Sequence, residues 1–357
     1  MDTNQDAINQ PRILIVGQGI AGTTAAWECL HRGWDVHIID QRSSTSASAV
    51  SSGLINPITG RHFVKSWMID DFCRQAVRTY TAIGEHIGES IIHEQSIVRH
   101  LKSITAENDW GARSSMEGYQ EHMVDGPHVN ELADAIHKAN AYGTVRGGYR
   151  VNAAVLINAL RSEWTNRGMI SEAWFDVGQL EVNDHGITYD SQEYTHLIVA
   201  GGWRGVGVLF PTDVYRPVKG EVLVVCIPNF PEEQIIKFEK FIVPLGDDLF
   251  WIGSTYEWTF EDENSNPEKS EELVQFLNTT IKLPYTIVER RAGVRPSTKY
   301  RRPLIGRHPK HLSMYLFNGL GTKGVSMAPY WAKKICDDIA APAESNALSE
   351  AFDRAFL

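Results

Sequence analysis

Three glycines and an aspartate carry the plainest chemistry in this chain: Gly17-Gln18-Gly19-Ile20-Ala21-Gly22, and then Asp40. Gly17 permits a tight turn, Gly19 has no Cβ and lets the backbone approach a pyrophosphate, and Gly22 lets a helix pack closely on a strand. The N–H groups at Ile20 and Ala21 would open that helix, with the positive end of its dipole facing the phosphates. Asp40, 18 residues after Gly22, supplies a carboxylate that can accept hydrogen bonds from ribose hydroxyls, and Gln41 follows it.

The elements needed to hold these groups surround them. Arg12-Ile-Leu-Ile-Val-Gly17 reads as a strand, Thr23 to Arg32 as a helix, and Trp34-Asp-Val-His-Ile-Ile-Asp40 as a second strand. The glycines therefore stand in a βαβ unit, the context that gives the pattern its meaning. A small residue at Ala26 and a glycine at Gly33 extend the spacing in the manner of FAD sites rather than NAD sites. An acid at position 40 disfavours the 2′-phosphate of NADP.

Composition narrows what remains. The chain has 357 residues, 43% hydrophobic and 22% charged, which suits two globular domains or one large α/β unit with an insertion. No run of about eighteen apolar residues occurs, so no transmembrane helix is expected. The N-terminus has neither the basic start nor the apolar core of a secretory signal, and its first ten or so polar residues read as a disordered tail. Cys29, Cys73, Cys226 and Cys336 form no CxxC pair and read as reduced, mostly buried thiols of a cytoplasmic protein. A net charge of −10 argues against nucleic acid as a partner. The thirteen histidines make no H-x-x-x-H or H-E-x-x-H group, so no metal site is expected.

Farther along, residues 41–66 read as a loop rich in small residues, suited to passing close to a flat ring; Ser48, Ser52, Gly53 and Leu54 are its candidate contacts. Residues 67–90, 130–139, 152–164 and 267–282 read as helices, with a final helix from Ala328. Trp174 to Val177 and His196 to Ala200 read as strands. The first would bring Val177 to the cofactor, and the second ends in Gly201-Gly202-Trp203, a second close backbone approach. Val218 to Ile227 and Phe241 to Trp258 are β-branched and aromatic, with Gly246-Asp247-Asp248 as a hairpin turn. The expected fold class is α/β: a Rossmann-like FAD-binding domain built from discontinuous segments (1–90, 142–213 and 291–357). An inserted α+β domain (91–141 and 214–290) would carry an antiparallel sheet and the substrate.

Besides the fingerprint, several blocks in chain order resemble the D-amino-acid-oxidase family of flavoproteins. They are Ala49-Val-Ser-Ser-Gly53-Leu, Pro217-Val-Lys-Gly-Glu221, Ile252-Gly-Ser-Thr255, Ala292-Gly-Val-Arg295-Pro-Ser-Thr with Pro303-Leu-Ile-Gly306-Arg-His-Pro309, and Asn318-Gly-Leu-Gly321-Thr-Lys-Gly324. Glycine oxidase and the oxidase half of a bifunctional enzyme that modifies tRNA wobble uridine are the nearest likenesses. The resemblance implies non-covalent FAD and oxidation of a carbon–nitrogen bond in a small amino acid or secondary amine. A hydride passes to the flavin, the resulting imine hydrolyses, and oxygen or another acceptor takes the electrons. Two alternatives stand beside it: oxidation of a carboxymethylaminomethyl group on tRNA, and a flavoprotein without catalysis.

The same resemblance assigns site residues. Arg295 matches the arginine that pairs with a substrate carboxylate, a task suited to guanidinium geometry. Lys323, and the helix start near Val325, would bring positive charge to the reduced flavin. Gly319, Leu320, Gly321, Thr322 and Gly324 form the loop around it, and Lys219-Gly220-Glu221 corresponds to a turn beside the flavin. Phe241 stands where glycine oxidase has a tyrosine whose hydroxyl helps bind the carboxylate, and Tyr256 or Tyr300 is the candidate replacement. Arg61, His62 and Lys65 would reach a larger or more acidic substrate, or anchor the pyrophosphate or their own loop.

Overall fold

The computed structural model describes residues 10–341, apart from 138–139, 184–185, 206, 208 and 211–212. The expected tail before residue 10 lies outside the described residues.

The run Arg12–Val16 forms a strand whose alternation feeds two cores. Ile13 and Ile15 face one, Leu14 faces the other, and all three are fully buried. Its sheet has six strands in the order Ile170–Ser171, Asp35–Ile39, Arg12–Val16, His196–Val199, Met314–Asn318, Leu304–Arg307. The first five are parallel, and Leu304–Arg307 closes one edge antiparallel. Helices Ile20–His31, Ile69–Ile87, Ala153–Asn166 and Gly324–Ala340 pack into the core on the Ile13 side, where Ala25, Ala26, Ala328 and Ala332 are small enough for close approach. On the Leu14 side lies a three-stranded antiparallel sheet that presents Ile187, Tyr189 and Tyr194.

A second sheet has eight strands in the order Thr286–Arg295, Val218–Cys226, Leu249–Gly253, Phe241–Gly246, Ile235–Lys237, Ile97–Leu101, Ala141–Val145, Met123–Asp125. Every pairing is antiparallel except that of Ile235–Lys237 with Ile97–Leu101. The hairpin turn Asp247-Asp248 has φ of 55° and 58°, the left-handed pair that two-residue hairpins favour. Helix Pro267–Thr280, capped by Asn266 with Pro267 at its start, covers one face through Leu273 and Leu277. The other face, with Val222, Val243 and Trp251, borders a cavity that the glycine fingerprint borders as well. The small-residue loop ties the two sheets together: Ser46 pairs with Val294, and the Trp251 indole donates to the Val50 carbonyl at 2.9 Å.

The α/β class with an additional antiparallel sheet is the one expected, but several elements differ. Trp174–Val177 is not a strand: Phe175 stacks on Tyr189 at 4.7 Å between ring centres, and Asp176 caps a short 3-10 turn over Val177–Gln179. Within 130–139, helical structure is limited to a 3-10 turn ending at Leu132, and 138–139 are outside the described residues. The last helix begins at Gly324 rather than Ala328. Lys219-Gly220-Glu221 is interior to a strand rather than a turn. Cys29 and Cys336, distant in sequence, meet as buried thiols with Sγ atoms 3.5 Å apart. Two expected domain edges, 142 and 291, fall inside strands of the eight-stranded sheet. We propose keeping the two-unit division with those edges moved past Val145 and Arg295.

Candidate active site

The glycine turn is tight enough to require its glycines. A Cβ on Gly17, whose φ is +96°, would lie 2.6 Å from the Ala200 carbonyl oxygen, and one on Gly22 would lie 1.8 Å from that of Gly17. Gly19 caps the helix without a side chain, and the Ser48 hydroxyl accepts the Ile20 N–H at 2.9 Å. This helix end thus offers backbone donors and the positive end of its dipole to an anion.

Asp40 is held by three donors. Its Oδ2 accepts the Gln18 N–H at 2.8 Å, and its Oδ1 accepts the Arg42 N–H at 2.8 Å and Arg161 Nη1 at 2.7 Å. Arg161 is only 7% exposed and also donates to Gln18 Oε1 at 2.6 Å and Glu172 Oε2 at 3.2 Å. With about four acceptor sites on a carboxylate, Asp40 keeps capacity for a ribose hydroxyl. Arg161 was not anticipated. Its signal was one arginine among Leu156, Leu160 and Trp164 on the buried face of an amphipathic helix.

A single cavity of about 3040 Å³ gathers nearly all the expected cofactor residues. From the fingerprint and the loop after it come Gly17, Gly19, Ile20, Ala21, Asp40, Gln41, Ser48, Ser52, Gly53 and Leu54. Val177, Ala200, Gly201, Gly202 and Trp203 border it from a second side, and Leu320, Gly321, Thr322, Lys323, Gly324 and Val325 from a third. Gly22 and Gly319 do not border it. Gly22 packs on the Gly17 turn, and Gly319, at φ +72°, packs against the Leu304 backbone. Buried Asn318 fixes the second glycine turn by donating Nδ2 to the Gly202 carbonyl at 2.7 Å.

Arg295 reaches the cavity from the end of its strand. The guanidinium crosses Gly220, where a Cβ would come within 2.1 Å of Nη2, and it hydrogen-bonds the Ser254 hydroxyl and the Thr255 carbonyl. Its Cζ lies 4.7 Å from the centre of the Tyr256 ring. Burial lowers its pKa, and no carboxylate pairs with it among the described residues. Both tyrosines are exposed, but Tyr256 lies at Arg295 and borders the cavity, whereas Tyr300 lies beside Lys299 and does not.

Lys323 donates to the Ser66 hydroxyl at 3.1 Å, and burial with Arg302 and Arg301 nearby lowers its pKa. It too lacks a carboxylate partner among the described residues. Arg61 and His62 hydrogen-bond each other at 2.9 Å on the cavity rim. Lys65 bridges Asp70 at 2.8 Å and Glu121 at 3.3 Å, so its ammonium occupies the cationic place between the acids of the Asp70, Glu121 and His122 group. Among the described residues, seventeen lysines and arginines border the cavity against four carboxylates, in a chain of net charge −10. That concentration of positive charge suits anionic ligands.

The donor set fits FAD: a glycine-capped helix start with Ser48 at its first N–H for the pyrophosphate, an oriented carboxylate for a ribose, and a cavity large enough for a dinucleotide with substrate beside it. The sequence profile of the family described as FAD dependent oxidoreductase matches residues 12–337. The chain belongs to that family. Over an alignment of 362 positions the oxidoreductase is 23% identical to the uncharacterized oxidoreductase YurR of Bacillus subtilis, covering 89% of this chain and 91% of that one. It is 21% identical to the tRNA 5-methylaminomethyl-2-thiouridine biosynthesis bifunctional protein MnmC of Azoarcus, covering 93% of this chain and 57% of that protein. Glycine oxidase from Geobacillus kaustophilus shares its fold with a TM-score of 0.80 at 18% identity, over 96% of this chain and 99% of the other. Among the described residues, no helix is long and apolar enough to cross a membrane.

Proposed function

We propose that this oxidoreductase oxidises the carbon–nitrogen bond of a small amino acid or secondary amine that carries a carboxylate. Bound FAD supplies the two-electron acceptor for a hydride leaving the carbon next to nitrogen. The substrate loses that hydride and a proton from nitrogen, becomes an imine, and is hydrolysed by water to a carbonyl compound and the released amine.

The observation that carries the reading is Arg295: a partly buried guanidinium held on three sides by Ser254, Thr255 and Tyr256, bordering the cavity, with no carboxylate partner among the described residues. A guanidinium kept in place without an anion is a receptor for a substrate carboxylate. Lys323 and the helix start at Gly324 add positive charge for an anion at the other end of the loop. Likeness to glycine oxidase supports the same class of substrate.

Anaerobic bleaching of the oxidised flavin by glycine, sarcosine, proline and D-amino acids tests this. Bleaching by a carboxylate-bearing amine, and not by its decarboxylated counterpart, is the expected result. A flavin that none of them bleaches would set the reading aside in favour of a larger, RNA-borne amine.

A further inference from the structure

One row of the eight-stranded sheet runs in register across six strands: Arg291, Val222, Gly253, Phe241, Lys237 and Arg99. Residues directly opposite one another share a face, and here that face borders the cavity. Lys237 and Arg99 stand side by side at its far end, an arrangement of like charges that a sheet disfavours.

Neither cation is neutralised by an ion pair among the described residues. The Lys237 ammonium donates to the Glu239 carbonyl at 2.6 Å and lies 4.1 Å from the centre of the Phe241 ring. Arg99 donates to the Gly60 carbonyl at 2.7 Å and lies 4.8 Å from the centre of the Phe63 ring. Burial, with Arg99 and Lys240 beside it, pulls Lys237 down to about 7, and burial pulls Arg99 down to about 10. Two half-desolvated cations without a counter-ion are costly, and an arriving anion offsets that cost. Lys240, by contrast, is already paired with Glu272.

The distance to Arg295 sets the ligand. The Arg295 guanidinium reaches Ser254, next to Gly253 of the row, and Phe241, under the Lys237 ammonium, is on the adjacent strand. The Lys237 ammonium, over the Phe241 ring, is therefore one to two strand spacings from Ser254, roughly 5–10 Å, and Arg99 stands on the strand beyond, about one spacing farther. We infer that Lys237 and Arg99 form a second anion subsite and that the amine this site takes is a dicarboxylate. One carboxylate binds Arg295 and the other binds this pair, across the apolar Phe241 ring. The inference rests on the role of Arg295 proposed above.

The test is calorimetric titration of the FAD-loaded protein with methoxyacetate, oxydiacetate and 3,3′-oxydipropanoate, none of which contains an oxidisable amine. A dicarboxylate should bind about tenfold or more tighter than methoxyacetate, in line with the coupling of close charge pairs. Lys237→Met should remove most of that advantage and leave methoxyacetate unchanged; Arg99→Gln, a second variant should the first not fold, should do the same. Dicarboxylates that bind no tighter than methoxyacetate, or variants that weaken all three ligands alike, would overturn the subsite. Discrimination without oxidation of any amine would leave the subsite standing and sink the catalytic reading. Oxidation of glycine or sarcosine without discrimination would do the reverse.

Discussion

The Tyr80 hydroxyl donates a 2.8 Å hydrogen bond to the Val325 carbonyl, the acceptor that Pro329 leaves empty four residues later. Proline has no N–H, so a helix that contains one loses an internal bond at that point. Tyr80 is fully buried and belongs to a different helix, Ile69–Ile87, so the repair comes from outside. The last helix can then start at Gly324, beside the cavity, without an orphaned buried carbonyl in its first turns.

Tyr80→Phe removes the donor and keeps the ring. An unsatisfied buried carbonyl costs about 1–3 kcal/mol. The variant should melt lower by roughly 2 °C or more per kcal/mol lost, read by thermal unfolding of the FAD-loaded protein. An unchanged melting temperature would show that the Val325 carbonyl finds another donor.

Gly220 and Arg295 separate function from fold. A Cβ on Gly220 meets only the far end of the flexible Arg295 side chain, at 2.1 Å from Nη2. Gly220→Ala should therefore fold with little loss of stability but displace the guanidinium. Its KM for the carboxylate amine should rise in the same direction as that of Arg295→Ala, for which about 100-fold is expected from loss of a charge-assisted bidentate contact. Steady-state kinetics on both variants, with melting curves alongside, decides the matter. A normal KM in Gly220→Ala would mean that the guanidinium does not act from the place it occupies here.

Asp40 and Arg161 should prove coupled in FAD binding. Arg161→Met leaves Asp40 with two backbone donors and a less fixed carboxylate, so FAD affinity should fall by about tenfold, the lower end of what supporting partners contribute at other ligand sites. Asp40→Leu should be worse. It takes from a buried guanidinium the closer of its two carboxylates, leaving Glu172 and Gln18, at a cost of about 1–3 kcal/mol in stability. Fluorescence titration of the apoprotein with FAD, together with melting curves, distinguishes the two. Equal effects on both quantities would contradict the coupling.

The fingerprint could be read from local pattern because its glycines answer to backbone geometry within one βαβ unit. The hairpin at Asp247-Asp248 and the helix over 267–282 are legible for the same reason. Arg99, Lys237, Phe241 and Gly253 become neighbours only through the order of four strands, and no local periodicity encodes that order. Trp174–Val177 looked like a strand from its aromatic composition, but stacking of Phe175 on Tyr189 takes it out of any sheet. The last helix begins before Ala328 because the donor that satisfies the Val325 carbonyl, Tyr80, comes from 245 residues upstream, beyond the reach of local pattern.

Lys237 should make stability depend on pH in a definite direction. The folded chain holds its ammonium at about 7, against 10.5 in the unfolded chain. Below about pH 7 the lysine is charged in both states, and the full cost of burying it remains. Between 7 and 10.5 the unfolded state binds more protons, so the cost fades and stability rises with pH. The charged groups around it are Arg99, lowered to about 10, Lys240 and Glu239. Lys237→Met removes the cost altogether. The ligand-free, FAD-loaded variant should therefore melt above the parent at pH 6, by roughly 2–4 °C for each kcal/mol of cost removed, and the gap should narrow to about half by pH 9 and close only above about pH 10.5. A gain that is larger at pH 9 than at pH 6 would show that the charge on Lys237 is already compensated in the folded protein, and the case for an anion subsite would go with it.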